Sequence, residues 1–486
     1  MNGAVLDRYR CPEMLVNLTL AGHLSDEPGY FSFGQGSVCF GRSSAGSPAR
    51  VLGNGLVDVS QHVSSDGSVL RLPFDPSETV DNLRRERYRL NGCADDRTIL
   101  SSKAIRKAYY CFRPLLPVSV RKYAQRLSLR NWRALTFPAW PVDTTVERIL
   151  ERVLLLAMNA QGIKRIPFIW FWPEGASSCV VVTHDVETKA GVRFVGRLMD
   201  IDEAFGIKAS FQFIPQKQYA VSEEFLSTIR CRGLELNVQD LTHDGDLFSD
   251  PQEFLRRARL INRFLREYGA QGFRAGRMYR NPDWYEALEI SYDMSIPNVG
   301  HLEAQRGGCC TVFPYFIGRI LELPLTTTQD YSLFHILGEY SIEVWRKQIA
   351  LIMEKHGLVS FIVHPDYIIE GRALDVYKAL LDYVARLREE RNTWVALPGD
   401  VNRWWRERSQ MRLVPGEGGL WRIAGPGHER ARIAYASIRD GQLVYTVPSE
   451  GRFRSCHSDR GTGEESGFEK SKSAVHRRLT SVVRHK

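Results

Sequence analysis

No stretch of this chain approaches the ~20 uninterrupted apolar residues that a membrane helix needs, so no transmembrane segment is expected. The N-terminus lacks a basic patch followed by a long apolar run, because Asp7, Arg8 and Arg10 interrupt it; a secretory leader is not expected either. There is no Cys-x-x-Cys pair among the 9 cysteines, and the count is odd. Cys309 and Cys310 are adjacent, a spacing that suits neither a zinc knuckle nor an ordinary disulfide. Scattered thiols of this kind point to a reducing compartment, and the cytoplasm is the expected location. No basic stripe or basic–aromatic module accompanies the net charge of +9, part of which lies after Val447. Nucleic acid is therefore not an expected partner. An anionic substrate or a nearby acidic membrane surface stays open. Internal repeats are absent, and nothing in the sequence fixes an oligomeric state.

What is present is a large apolar inventory. Of 486 residues, 43% are hydrophobic, with 10 Trp, 19 Tyr and 23 Phe. That suffices for a large core and more than one domain. Residues 1–176 read as an N-terminal accessory region without evident chemistry, opening on short β-like pieces such as Tyr30-Phe-Ser-Phe-Gly. Within it, Asp143-Thr-Thr-Val-Glu147 predicts a helix start with a capping box from Thr144 to Glu147. That helix would bury Ile149, Leu150, Val153, Leu154 and Met158 on one face. Residues 177–408 alternate strands with helices, which argues for an α/β fold with a parallel sheet. Seven or eight such units in roughly 230 residues are of (β/α) barrel size, and reactive groups of a barrel gather at the C-terminal strand ends. Residues 409–448 form a small β-rich appendage, and 449–486 read as a disordered basic tail.

The most informative stretch is Val180-Val-Val-Thr-His-Asp-Val-Glu187. It predicts a buried strand that delivers two carboxylates, Asp185 and Glu187, two residues apart and so on one face. Two acids crowded at a strand end repel unless something positive stands between them, and a divalent metal would serve. Solvated loop acids are the bland alternative. Other expected strand ends supply Gln239, Asp240 and His243; Arg274, then Tyr279 and Arg280; Thr326 to Asp330; and His364-Pro-Asp366-Tyr367. A lone histidine in such a place is more often structural. Acid, amide, His, Arg and His converging on one rim is harder to assign to accident. Tyr279, Trp284, Tyr331 and Tyr367 could stack on sugar rings there, though aromatics more often pack a core; only Tyr279 and Tyr367 are predicted near the site.

With these pieces in place, residues 179–401, about half of the chain, resemble the polysaccharide deacetylase family of metal-dependent carbohydrate esterases. The family's five motifs sit on a distorted, incomplete (β/α) barrel. Thr183-His-Asp-Val-Glu187 looks like the first, which implies Asp185 as general base and Glu187 as metal-binding acid. Gln239-Asp-Leu-Thr-His243 looks like the second, His-x-x-x-His, which supplies two metal ligands. Gly272-Phe-Arg-Ala-Gly-Arg-Met-Tyr279 looks like the third, with Arg274 holding the catalytic aspartate. Asp330 would be the fourth, orienting the catalytic histidine, and Phe361-Ile-Val-His364 the fifth, with His364 as general acid. The resemblance implies a divalent metal, zinc by family habit, and an acetylated saccharide substrate.

Two positions depart from the pattern. Glu187 replaces the usual second Asp, and Gln239 replaces the first metal histidine. An amide oxygen is a poor ligand for zinc but acceptable to harder cations. The site could then bind metal weakly, choose another metal, recruit Asp240, or have lost metal altogether. Three functions follow: a metal-dependent hydrolase that removes acetyl groups from an N-acetylated sugar or glycan, a non-sugar amidohydrolase of the same fold, or a silent glycan-binding protein. In the first, Asp185, kept ionised by Arg274, takes a proton from water, a backbone N–H near Tyr279 helps hold the oxyanion, and His364 protonates the leaving amine.

Overall fold

Val180, Val181 and Val182 are β-branched, a side-chain type that packs well on a pleated strand and loses rotamer freedom in a helix. In a computed structural model of the protein they lie in strand β1, Cys179–Val186, whose eight residues are all buried. The structure describes residues 1–89, 126–127, 129–416, 418 and 420–448, apart from positions 35 and 54. The expected tail at 449–486 lies outside the described residues, as does part of the accessory region.

After β1 come β2 (Ser210–Phe213), β3 (Glu235–Gln239), β4 (Gly272–Arg274), β5 (Tyr292–Asp293), β6 (Tyr315–Ile317), β7 (Ile320–Glu322), β8 (Leu358–Val363) and β9 (Trp394–Val395). Along the sheet the order is β6-β7-β5-β4-β3-β2-β1-β8, and β9 also pairs with β1. All pairings are parallel except β6 with β7. The sheet curls until side chains join its far ends. Thr326 and Thr327 continue from β7, and their hydroxyls donate to the Leu358 and Ser360 carbonyls of β8 at 2.8 and 2.7 Å. The Ser360 N–H donates to Thr326 Oγ1 at 2.9 Å. Threonine hydroxyls, in place of a backbone ladder, span this seam. The class is α/β with a curled, mostly parallel sheet.

Six helices connect or follow these strands: α1 (Lys189–Ala204), α2 (Glu223–Cys231), α3 (Pro251–Tyr268), α4 (Glu343–Glu354), α5 (Gly371–Arg391) and α6 (Pro398–Gln410). Thr188, Ser222 and Asp250 cap the first three through their side-chain oxygens, which satisfies otherwise orphaned N–H groups. The sequence pattern over Pro282–Ile290 reads as helical, but the chain forms only a short 3₁₀ turn there, Pro282–Ala287. Its consecutive Trp284 and Tyr285 both turn onto Phe248, at ring separations of 6.2 and 6.0 Å. Trp284 is therefore a packing residue here.

Residues 1–447 form one unit. Helix Thr145–Ala160 buries Ile149, Leu150, Val153, Leu154 and Met158 completely. Its capping box does not form. Thr144 makes no capping bond, and Asp143 Oδ1 instead accepts from the Thr145 N–H at 2.7 Å. Glu147 is drawn away from the helix start by the Thr311 hydroxyl at 2.5 Å. The accessory region also reaches the loop after β4, where Glu86 forms a buried ion pair with Arg280. In the β-rich segment, Ile433–Arg439 pairs antiparallel with Gln442–Thr446 on one side and with Arg165–Ile169 on the other.

Candidate active site

Side chains at and just beyond the C-terminal ends of β1, β3 and β8 meet in one cluster. Parallel register sets Asp185 beside Gln212 and Arg274 beside Gln239. Gln239 Nε2 donates to Asp185 Oδ2 at 3.2 Å and to Glu187 Oε1 at 2.9 Å. Glu187 Oε1 also lies 2.9 Å from His243 Nε2 and 3.5 Å from His364 Nε2. One carboxylate oxygen thus has three nitrogens around it. Asp330 Oδ1 accepts from His364 Nδ1 at 2.6 Å, and its Oδ2 accepts from the His364 N–H at 2.7 Å. Asp330 grips both the ring and the backbone of this histidine.

The loop that carries His243 is strained. Asp240 and His243 both adopt left-handed φ, 52° and 55°, as do Arg277 and Met278 opposite, both at 56°. Non-glycine residues hold such angles only where surrounding contacts over-determine them. Asp240 is directed away from Glu187: its Oδ1 accepts from the Leu241 N–H at 2.6 Å, and a Cβ on Gly276 would meet Oδ2 at 2.3 Å. Gly276 is required by that close approach.

Electrostatics separate the two acids. Burial pushes the Asp185 carboxyl up from its ordinary value, and Arg274 and His364 only partly offset this. Burial also opposes ionisation of Glu187, but His243 and His364 outweigh it and hold this carboxyl well below the usual range. His364 is pulled down by burial and raised further by Asp330 and Glu187, so it ends well above its ordinary value. The two carboxylates favour its imidazolium form.

Arg274 occupies a different place from the one the resemblance implies. It is fully buried, and it donates to Thr183 Oγ1 at 3.0 Å with no hydrogen bond to Asp185. Gln239 has taken that contact. Arg274 acts on Asp185 through charge alone, and burial prevails, so the expected lowering of the Asp185 pKa is not found. The Tyr279 N–H, expected to help an oxyanion, donates to the Gly276 carbonyl at 3.3 Å. The Tyr279 ring lies 3.4 Å from where a Gly245 Cβ would stand, on the His243 loop. Tyr367 lies over His364, with ring centroids 4.9 Å apart, and Tyr331 and His335 pack against it at 5.7 and 5.1 Å.

Some contributors were missed in the sequence. Tyr219 donates to the Val186 carbonyl and accepts from the Ile214 N–H at 2.9 Å, pinning the end of β1 to that of β2. Its signal was available: it follows a predicted strand end that supplied no candidate. Glu303, bonded to Gln329, brings a buried carboxyl whose pKa burial pushes up, from a connection without a recognisable motif.

The donors present fit a divalent cation. Asp185, Glu187 and His364 each offer a ligand atom within 4.8 Å of the others. Asp185 Oδ1 and Gln239 Oε1 are buried without a hydrogen-bond partner, and such atoms mark a place where a further group belongs. Glu187 and His243 are the better pair of ligands, because Asp330 already holds His364 through both its ring Nδ1 and its backbone N–H. Gln239 is the weak member: as placed, it turns its amide nitrogen, which is no ligand, toward the acids.

No family model and no curated protein matches this chain. Among solved structures it is similar to a Mycobacterium smegmatis protein carrying the name polysaccharide deacetylase, at 18% identity and a TM-score of 0.40, covering 49% of this chain and 93% of that one. It is also similar to Puue allantoinase, at 14% identity and 0.39, covering 48% and 92%. A Pseudomonas aeruginosa PAO1 protein also named polysaccharide deacetylase matches at 14% and 0.38, covering 48% and 92%. No residue role follows from likeness at this level.

Proposed function

We propose that this protein is a hydrolase that removes an acetyl group from an N-acetylated sugar or glycan, built on an incomplete (β/α) barrel of the deacetylase type. One observation supports the reading: Asp185, Glu187 and His364 bring ligand atoms within 4.8 Å of one another, and Asp330 is bonded to the His364 ring. Asp185 takes a proton from the attacking water, whose oxygen adds to the acetyl carbon. His364 gives its Nε2 proton to the departing amine as the carbon–nitrogen bond breaks, and acetate and the free amino sugar leave. Glu187 and His243 would hold a divalent metal, with Gln239 as a third, weak position; when bound, the ion supplies Lewis-acid polarisation of the acetyl carbonyl. Arg274 stabilises the ionised form of Asp185 from behind the strand, and Tyr367 orders the His364 ring and one wall of the substrate hollow.

A second reading draws support from Gln239. Its amide nitrogen bridges the two acids by hydrogen bonds, a contact that suits a glycan-binding protein without turnover. Acetate release from N-acetylated amino sugars, measured on metal-stripped and metal-supplemented protein, separates the two. Release that falls by roughly 10²-fold or more in both Asp185→Asn and His364→Ala supports the hydrolase. Wild-type protein that binds glycan and releases no acetate with any divalent metal would leave the binding protein standing.

A further inference from the structure

A second hollow lies at the opposite end of the strands, and it has nothing to do with the acids of the rim. It is a cavity of about 470 Å³, the size of a small-molecule site. Arg8 comes from the N-terminal helix Gly3–Tyr9 and Arg10 from the residue that ends it, Arg84 from the helix Pro76–Arg84, Arg319 from the turn before β7, and Arg406 and Arg408 from α6. Arg406 donates to the Ser291 carbonyl, just ahead of β5, at 2.5 Å, which places the cavity at the N-terminal strand ends. The accessory region, in which the sequence suggests no chemistry, supplies half of these arginines.

Their charges are answered only in part. Arg10, Arg319, Arg406 and Arg408 donate to backbone carbonyls, among them Met411, Leu288, Ser291 and Ile169. A carbonyl satisfies a donor but leaves the positive charge in place. Arg8 is 5% exposed, and none of its three guanidinium nitrogens has a hydrogen-bond partner. Its nearest carboxylates, Glu147 and Glu151, stand at 3.7 and 3.9 Å. Arg84 makes no hydrogen bond to a described residue and lies over the Tyr315 ring at 5.2 Å. Two acids line the cavity, and both are engaged: Asp81 by Arg85 and Arg87 at 2.9 and 2.8 Å, and Asp7 by Arg10 at 3.5 Å. The crowding is felt at Arg408, where burial first, and then Arg10 and Arg8, bring the guanidinium down to about 9. Like charges gathered in an enclosed space cost stability that a bound anion returns.

We infer that this cavity binds a phosphate monoester dianion carried on a molecule of sugar or nucleotide size. Guanidinium forks match phosphate oxygens in pairs, and the unpartnered donors of Arg8 and Arg84 are the ones available to it. The volume suits a ligand of that size, and Phe316, with Arg406 over its ring, borders the cavity.

The test is thermal unfolding and Trp405 fluorescence of the full chain titrated with AMP, glucose 6-phosphate and inorganic phosphate, with adenosine and glucose as neutral controls. The inference expects a saturable rise in Tm with at least one phosphate ester and none with the neutral compounds. Arg84→Gln should weaken that binding by about tenfold or more, the loss of one charge-assisted contact. Without ligand, Arg84→Gln should unfold no earlier than wild type, because the substitution removes a like charge from beside Arg8. A response to inorganic phosphate alone, with none to AMP or glucose 6-phosphate, overturns the ester ligand. No shift with any phosphate probe, or a shift that Arg84→Gln leaves intact, overturns it. Either result is independent of whether the rim hydrolyses anything.

Discussion

Gln239 stands between Asp185 and Glu187, with its amide nitrogen 3.2 Å from one carboxylate and 2.9 Å from the other. It fills a position at which a cation would otherwise neutralise the pair, and a neutral amide does this with two hydrogen bonds and no charge. Histidine at this position would offer a ring nitrogen to a metal in company with His243 and Glu187. Gln239→His should therefore raise zinc affinity by at least about tenfold, as one added imidazole ligand does for a borderline cation. Metal content after dialysis and calorimetric titration check it. Equal zinc affinity in the two proteins would mean that Gln239 does not limit binding.

The activity profile should be bell-shaped, with limbs set by Asp185 and His364. Asp185 must be ionised to accept a proton, and burial raises its pKa, so the acid limb should lie above the ordinary carboxylate value of 3.8. His364 must be protonated to donate, and Asp330 and Glu187 raise it, so the alkaline limb should lie above 6.5. Asp330→Asn removes one charge beside the ring and should bring the alkaline limb down by about one pH unit or more, with little change in the acid limb. Rate profiles of both proteins measure this. An unmoved alkaline limb would assign it to another group.

The same pair has a signature in stability. His364 has a folded-state pKa above its ordinary 6.5. Its contribution is fully present below about that value and is lost as pH rises through the raised folded value. Wild type should therefore exceed Asp330→Asn in Tm by most in mildly acidic buffer, and the gap should narrow as pH climbs past neutrality. A gap that widens with pH would show that the ion pair is not the source.

Much of this arrangement was legible in the chain. The Val180–Val182 run and the alternation of strands with helices marked the sheet, and period-two spacing put Asp185 and Glu187 on one face. The strand-end rule gathered His243, Arg274 and His364. What escaped depends on competition between partners that are distant in sequence. Arg274 turned to Thr183 because Gln239 had taken Asp185. Trp284 and Tyr285 gave up a helix for contact with Phe248. The seam made by Thr326 and Thr327 has no sequence signature, since it depends on how far the sheet curls. The six arginines of the lower cavity were unreadable for the same reason: they come from four separate segments, and none sits in a motif.

Helix Thr145–Ala160 gives the sharpest contrast between a local signal and its tertiary override. Its Thr144-x-x-Glu147 pattern predicts a reciprocal cap, but Glu147 is fully buried against Thr311, and Asp143 has taken over the helix start. Asp143 also accepts from the Ala139 N–H at 2.6 Å, so one carboxylate ties the helix to the turn before it. Asp143→Ala should cost about 1–2 kcal/mol in chemical denaturation, as an N-cap loss does, with more possible from the second orphaned donor. Thr144→Ala should cost less than about 0.5 kcal/mol, the range of a substitution that removes no cap. If Thr144→Ala proves the more damaging of the two, the local pattern governs the helix after all, and Asp143 is not its cap.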